Sequence, residues 1–226
     1  MATKIIAIDG FASTGKSTLS KRLAQKLGFV YMDTGYMFRV VSLHVLENGW
    51  LKDDTIDEAA LNAFLPALNF HWQQTPDGGN AMAVNDKVFG ESIRTQAVSA
   101  LVSLVAVLPK VRTYLLEQQR ELAKSVNVVM DGRDIGTVVF PHADLKFFLT
   151  ANAEVRAQRR FEEMQTKGLE ASYKEILANV LERDRIDSTR EMAPLKKAVD
   201  AIEIDTSELT VDEVFDLICQ ELPADF

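Results

Sequence analysis

Residues 10 to 18 read Gly-Phe-Ala-Ser-Thr-Gly-Lys-Ser-Thr, filling the pattern Gly-x4-Gly-Lys-[Ser/Thr] directly after the apolar run Ile5-Ile6-Ala7-Ile8-Asp9. Leu19, Leu23, Ala24 and Leu27 follow at helical spacing, and Gly28 is a suitable stop. A buried strand, a glycine-bearing loop and a helix in that order commit the chain to an α/β fold, because the loop must emerge from the end of a parallel strand. Each position also has a physical task. Gly10 and Gly15 admit the turns that point successive N–H groups inward as a cradle for phosphates. Lys16 is placed to reach the β and γ phosphates, the Ser17 hydroxyl to take one position on Mg2+, and the helix to aim its positive end at the anion. The whole loop, Gly10, Phe11, Ala12, Ser13, Thr14, Gly15, Lys16, Ser17 and Thr18, is therefore read as a nucleoside triphosphate site.

Further β-rich apolar runs at Phe29–Met32, Val126–Met130, Leu145–Leu149 and Ala201–Ile204, with helical patterns between most of them, predict a parallel sheet flanked by helices. Polar residues end each run: Asp9-Gly10, Asp33-Thr34, Asp131-Gly132-Arg133-Asp134, Thr150 and Asp205-Thr206. Strand ends of this kind converge on one ligand crevice. Between Asn69 and Arg94 the texture changes to short alternating runs around Pro76-Asp77-Gly78-Gly79, which predicts an inserted antiparallel hairpin with room for a third short strand. Val98 to Leu108 is too short for a membrane span and is broken by Ser99 and Ser103, so it reads as a buried helix. Val211, Val214, Phe215, Ile218, Cys219 and Leu222 predict an amphipathic C-terminal helix starting after Thr206-Ser207, with Cys219 in the core.

The formal charge of −8 argues against nucleic acid or an anionic membrane as partner, since affinity for either comes from dense Lys and Arg. One cysteine allows no internal disulfide, which fits a reducing, cytoplasmic setting, and the first residues leave no room for an export signal before the first strand. His44, His71 and His142 lack metal-ligand spacing, and Trp50 and Trp72 read as packing residues.

Twelve of the 25 basic residues are arginines, several of them in short polar segments: Arg39, Arg94, Arg112, Arg133, Arg183 and Arg190. Phosphoryl transfer needs such a set, because the migrating group spreads negative charge that Arg, Lys and Mg2+ must meet while donor and acceptor are held in line. The order of motifs is specific. Asp33-Thr34-Gly35-x3-Arg39, Ile93-Arg94-Thr95, Pro109-Lys110-Val111-Arg112, Asp131-Gly132-Arg133-Asp134-Ile135-Gly136-Thr137, and Glu182-Arg183-Asp184-x2-Asp187-x2-Arg190-x2-Ala193-Pro194-Leu195 together resemble the motif set of bacterial cytidylate kinases across essentially the whole chain.

That resemblance implies a P-loop NTPase fold carrying a β-containing nucleoside-monophosphate insertion at about 36–109 and a short helical lid at about 156–189, all within one kinase domain of residues 1–226. It implies transfer from ATP to CMP or dCMP by a monomer. Thr34, Arg39 and Arg133 would hold the acceptor phosphate. Ser103, Arg112 and Asp134 would read cytosine, and the chemistry is apt: Asp134 accepts from the amino group while Arg112 donates to the ring nitrogen and carbonyl. Uracil reverses that polarity. Asp187, with Arg183 or Arg190, would contact the ribose. Lys16, Arg133 and the lid residues Arg160 and Arg183 would meet the transferring phosphoryl, and Ser17 with Asp131 would hold Mg2+.

Four positions depart from the family pattern. Tyr36 and Phe38 stand where Ala and Tyr are usual, Phe11 replaces a common Pro, and Ile186 occupies a site often basic. The loss of a hydroxyl at position 38 leaves Tyr36 as the substitute phosphate donor. Arg156 and Arg159 have two readings, as members of the lid or as a solvated helix face. The rival functions are a P-loop kinase for UMP, AMP, shikimate or a nucleoside, and a nucleotide-binding protein without transferase activity.

Overall fold

The computed structural model describes residues 3–76, 79–224 and 226. In chain order the elements are β1 (Ile5–Gly10), α1 (Lys16–Leu27), β2 (Val30–Asp33), α2 (Thr34–Glu47), β3 (Leu51–Lys52), β4 (Thr55–Ile56), α3 (Glu58–Phe64), β5 (Phe70–Gln74) and β6 (Asn80–Val84). There follow α4 (Gln96–Val105), α5 (Pro109–Leu122), β7 (Val128–Gly132), β8 (Leu145–Thr150), α6 (Ala153–Thr166), α7 (Tyr173–Thr189), β9 (Ile202–Asp205) and α8 (Val211–Gln220). The chain packs as two compact units, residues 1–31 with 127–226, and residues 32–126.

The parallel sheet runs in strand order β2-β7-β1-β8-β9, and all but the end of β2 lies in the first unit. β1 is its centre, and Ile6, Ala7 and Ile8 are fully buried as a strand covered on both faces requires. Its register sets Asp9 beside Gly132 on one neighbour and Phe148 on the other, so the phosphate loop and the segment after β7 leave the sheet side by side. Leu19 and Leu23 of α1, Phe147, Leu149, Ile204, and Val214 and Ile218 of α8 close the core with Ile6 and Ile8. Each such side chain contributes roughly 1.5–3 kcal/mol by leaving water. Gly28 ends α1 in the left-handed conformation expected of a helix stop, at φ 66°. A smaller cluster of Ala157, Ile176 and Val180, with Phe161 edge-on to Tyr173, joins α6 to α7.

The C-terminal helix departs from its sequence pattern in two ways. It begins at Val211, not directly after Thr206-Ser207, because Thr210 and Glu213 form a reciprocal capping box there. Val211 is exposed, and Cys219 is only half-buried. Position on a helix face sets the direction of a side chain, but not whether a neighbour covers it.

The second unit is built on α2, which starts where the Asp33 side chain accepts from the Tyr36 N–H. Met37, Val40, Val41 and Val45 are fully buried, and α2 packs on α4 and α5. The apolar run at 98–108 is a buried helix that stops at Val105, and Pro109 opens α5 at a bend. No single helix among the described residues is long and apolar enough to cross a membrane. The predicted hairpin is β5 against β6, from Phe70↔Val84 to Gln74↔Asn80. Its Asp77-Gly78 turn lies outside the described residues. The third strand is reduced to one bridge, Val84↔Lys87. A second hairpin, β3–β4, turns on Asp53 and Asp54, both at positive φ as a mirror-type turn demands. Nothing in the alternation of that stretch announced it.

Candidate active site

The phosphate loop is shaped by its glycines. Gly10 has φ 148° and lies so close to β8 that a Cβ would stand 2.0 Å from the Leu149 carbonyl oxygen. Gly15 caps α1 at φ 89°, and Ser13 at φ 60° adds another left-handed residue between them. Thr14 Oγ1 donates to the Phe11 carbonyl at 3.0 Å, and the Lys16 ammonium donates to that same carbonyl and to Thr14 Oγ1. Lys16 is 5% exposed, and burial, with Arg133 adding repulsion, pushes its ammonium well below its ordinary value. Asp131, Asp9 and Asp187 oppose that shift. A desolvated ammonium attracts phosphate charge more strongly than one in water.

Ser17 Oγ donates to Asp131 at 2.8 Å, and the Tyr31 hydroxyl donates to the other carboxylate oxygen at 3.0 Å. Asp131 is buried at the end of β7, where a strand of Val and Met carries it. A hydroxyl and a carboxylate side by side form a hard-oxygen pair that suits Mg2+, which keeps most of its waters and needs few protein ligands. Among the described residues, three or more His, Cys, Asp or Glu side chains gather nowhere as a metal site.

Beyond β7 the chain brings four predicted residues together. Arg133 Nε donates to Asp187 at 3.0 Å, Arg190 lies 3.6 Å from the other oxygen of Asp187, and Arg190 also donates to Asp134 at 3.3 Å. Burial alone would raise the Asp187 carboxyl, but Arg133, Arg190 and Arg183 outweigh it and hold it below the usual range. Burial likewise works against the Arg133 charge, and Asp187, Asp131 and Asp9 reverse the effect. Asp187, Asp134 and Arg190 are each less than a tenth exposed.

Along α6 the arginines divide. Arg156 is 3% exposed, pairs with both oxygens of Asp184 at 2.9 and 2.5 Å, and donates to the Ala151 and Ala12 carbonyls. Its guanidinium also stands 5.1 Å from the Phe11 ring centre. Arg159 ties down Thr206 and the Leu209 carbonyl. Both are internal braces, so the solvated-face reading of them is corrected: each guanidinium donates to at least one backbone carbonyl of a segment distant in sequence. Arg160 faces outward and pairs with Glu163, while Arg183 sits one turn before Asp187 on α7.

In the second unit Thr34 is buried at the first turn of α2. One turn on, Arg39 donates to the Ile93 carbonyl at 3.2 Å and Ser99 Oγ at 3.0 Å. Ser103 is buried on α4, and Arg112 on α5 donates to the Ala106 carbonyl at 3.1 Å with its guanidinium 5.6 Å from the Phe38 ring centre. The Phe38 ring is thus a platform for the Arg112 cation rather than a plain loss of hydroxyl. Tyr36 does not replace that hydroxyl. Its OH donates to the Met82 carbonyl at 2.9 Å and accepts from the Phe89 N–H at 3.0 Å, which bolts the β5–β6 region to α2. Arg94 reaches Asp33 at 3.7 Å. Sequence reasoning gave Ser99 and Asp184 no role and read Phe38 only as a lost hydroxyl; their parts emerge from what they touch. His44 stacks on Phe64, His71 faces Asp86, Trp50 packs on Phe64, and Trp72 donates to the Leu122 carbonyl, all structural.

The family model for cytidylate kinase matches residues 6–224. This chain belongs to the cytidylate kinase family. Its relatives bear that name. The cytidylate kinase of Phocaeicola vulgatus is 48% identical over 209 residues, 92% of this chain and 91% of that one. That of Flavobacterium johnsoniae is 51% identical over 211 residues, covering 93% and 92%. That of Carboxydothermus hydrogenoformans is 49% identical over 210 residues, covering 92% of each. A shikimate kinase structure from Bacteroides thetaiotaomicron aligns over 97% of this chain and 96% of its own at 15% identity, with a TM-score of 0.44, too low to bear on substrate.

Proposed function

We infer that this chain transfers the γ-phosphoryl group of ATP to CMP or dCMP, giving CDP or dCDP and ADP. The observation that carries the reading is the family match over residues 6–224, with the Lys16 loop unbroken inside it. The acceptor is an ionised phosphate, so the protein's work is alignment and charge neutralisation rather than base catalysis.

In this reading the N–H groups of residues 10–18 and the Lys16 ammonium hold the triphosphate. Ser17 and Asp131 hold Mg2+, which when bound draws charge from the phosphate oxygens. Thr34, Arg39 and Arg133 take the acceptor phosphate. Ser103, Arg112 and Asp134 read the base, supported by the burial of all three and by the brace that Arg190 gives Asp134. Asp187, held ionised between Arg133 and Arg190, accepts from the ribose. Arg160 and Arg183 meet the transferring phosphoryl, and Arg160 must first let go of Glu163. The charge of −8 and the single cysteine support a cytoplasmic enzyme of small nucleotides.

ADP release measured with ATP, Mg2+ and each of CMP, dCMP, UMP, AMP and shikimate tests this directly. Turnover on CMP and dCMP is expected to exceed the others, and Lys16→Ala to lose about 10²–10³ in kcat with an unshifted melting temperature. Faster turnover on another acceptor would overturn the substrate assignment. A near-normal Lys16→Ala would remove the lysine from the mechanism.

A further inference from the structure

Asp9 is the penultimate residue of β1, directly before Gly10, is 4% exposed, and has no part in the roles assigned above. Both oxygens of its carboxylate are used on one short stretch of backbone. Oδ1 accepts from the Ile135 N–H at 2.8 Å and Oδ2 from the Gly136 N–H at 2.7 Å. Those two residues open the π-helical turn Ile135–Val139, and Asp134 is the residue that caps it. Gly136 is required by the closeness of the approach: a Cβ there would stand 3.0 Å from Lys146 Cδ and 3.5 Å from Asp9 Oδ2.

We propose that Asp9 is a positioning residue, fixing from the strand that carries the phosphate loop the backbone of residues 133–136, and through it the aim of Arg133 and Asp134. The inference rests on the reading that Arg133 and Asp134 hold the acceptor nucleotide. Two successive N–H groups converging on one point need two acceptors, and a carboxylate supplies both where an amide would supply one and turn its NH2 against the other. The arrangement is held against burial, which above all, with Asp134 adding to it, raises the Asp9 carboxyl to about 6 against the pull of the Gly136 and Ile135 N–H groups and Lys16. The charged groups around it are Lys16 of α1, Arg133 and Asp134 after β7, and Lys146 of β8, whose ammonium is tied to Asp200 and the Pro141 carbonyl. A buried carboxylate kept at this cost serves its two N–H donors.

The test compares Asp9→Asn with Asp134→Asn, measuring kcat and KM for ATP, CMP and UMP. The expected result for Asp9→Asn is a rise in KM for CMP of roughly tenfold, a narrowed preference for CMP over UMP, and a KM for ATP within about twofold. A KM for ATP that changes as much as that for CMP would show Asp9 acting through Lys16 and overturn the proposal. If Asp134→Asn loses discrimination and Asp9→Asn does not, the Asp9 inference alone falls. If Asp134→Asn keeps it, the base-reading assignment falls and takes the inference with it. Should Asp9→Asn fail to fold, the unaltered protein serves. Its Ile135 and Gly136 amide proton resonances are expected to titrate together with a midpoint near 6, the value to which the Asp9 carboxyl is raised. Traces in which only one of the two amides moves, or neither moves at any pH at which the protein stays folded, would overturn the clamp.

Discussion

The phosphate loop and residues 32–126 hold the groups proposed to meet ligands by opposite means. The loop is shaped by its main chain, with Gly10 at φ 148°, Ser13 at 60° and Gly15 at 89° turning successive N–H groups. Residues 32–126 offer braced side chains instead: Arg39 is held by Ser99 and the Ile93 carbonyl, Arg112 by the Ala106 carbonyl and the Phe38 ring. A backbone cradle is sensitive to anything that alters φ and ψ and indifferent to most other changes. A braced side chain is sensitive to its own identity and, at second hand, to that of its brace.

Gly10→Ala would strike the first kind of site hardest. Its Cβ would collide with the Leu149 carbonyl at a φ that L-residues avoid, so a loss of about 3 kcal/mol and of nearly all activity is expected, read by thermal melting and turnover. A normally active, normally stable Gly10→Ala would end the claim that backbone geometry makes the loop.

Arg112→Ala is the corresponding blow to the second kind. The preference for CMP over UMP, as a ratio of kcat/KM, is expected to fall by roughly 10- to 100-fold with little change in KM for ATP. An unchanged ratio would remove Arg112 from base reading. Ser99→Ala then asks whether braces matter. Losing one hydrogen bond to Arg39 is expected to raise KM for CMP about three- to tenfold while kcat/KM keeps its CMP-to-UMP ratio, because the phosphate is common to both substrates.

Phe11→Ala should do least to catalysis. Position 11 contributes its main chain to the loop, so kcat is expected within about threefold of the parent. Stability should drop by about 1–2 kcal/mol instead, since the ring packs edge-on to Phe148 at 6.2 Å and lies under Arg156. A collapse in kcat would show that the loop depends on this side chain after all and blur the contrast.

Much of this was legible along the chain, and the reason is locality. The strand-loop-helix order, the apolar runs of the sheet and the Asp131-Gly132-Arg133-Asp134 block each lie within a few consecutive residues, where periodicity and spacing are direct consequences of backbone geometry. The β3–β4 hairpin escaped notice because two-residue strands have no period to read, and the late start of α8 because Thr206-Ser207 and Thr210 are comparable caps in one dimension. Arg156 and Arg160 show the limit best. They stand one turn apart on α6 in the same basic run, and nothing in their spacing says that one is bound to Asp184, Ala151 and Ala12 while the other pairs with Glu163 near the surface.

By itself the amino-acid sequence determined the sheet, the phosphate loop and the family, because these depend on residue types at fixed short separations. Only the tertiary structure decided which polar side chains are braced, and by what. Tyr36 spends its hydroxyl on Met82 and Phe89, Phe38 supports Arg112, and Asp9 spans 126 and 127 positions to grip Ile135 and Gly136. A buried polar group must satisfy its hydrogen bonds with whatever the fold brings near it, and that neighbour is set by packing across the chain rather than by distance along it.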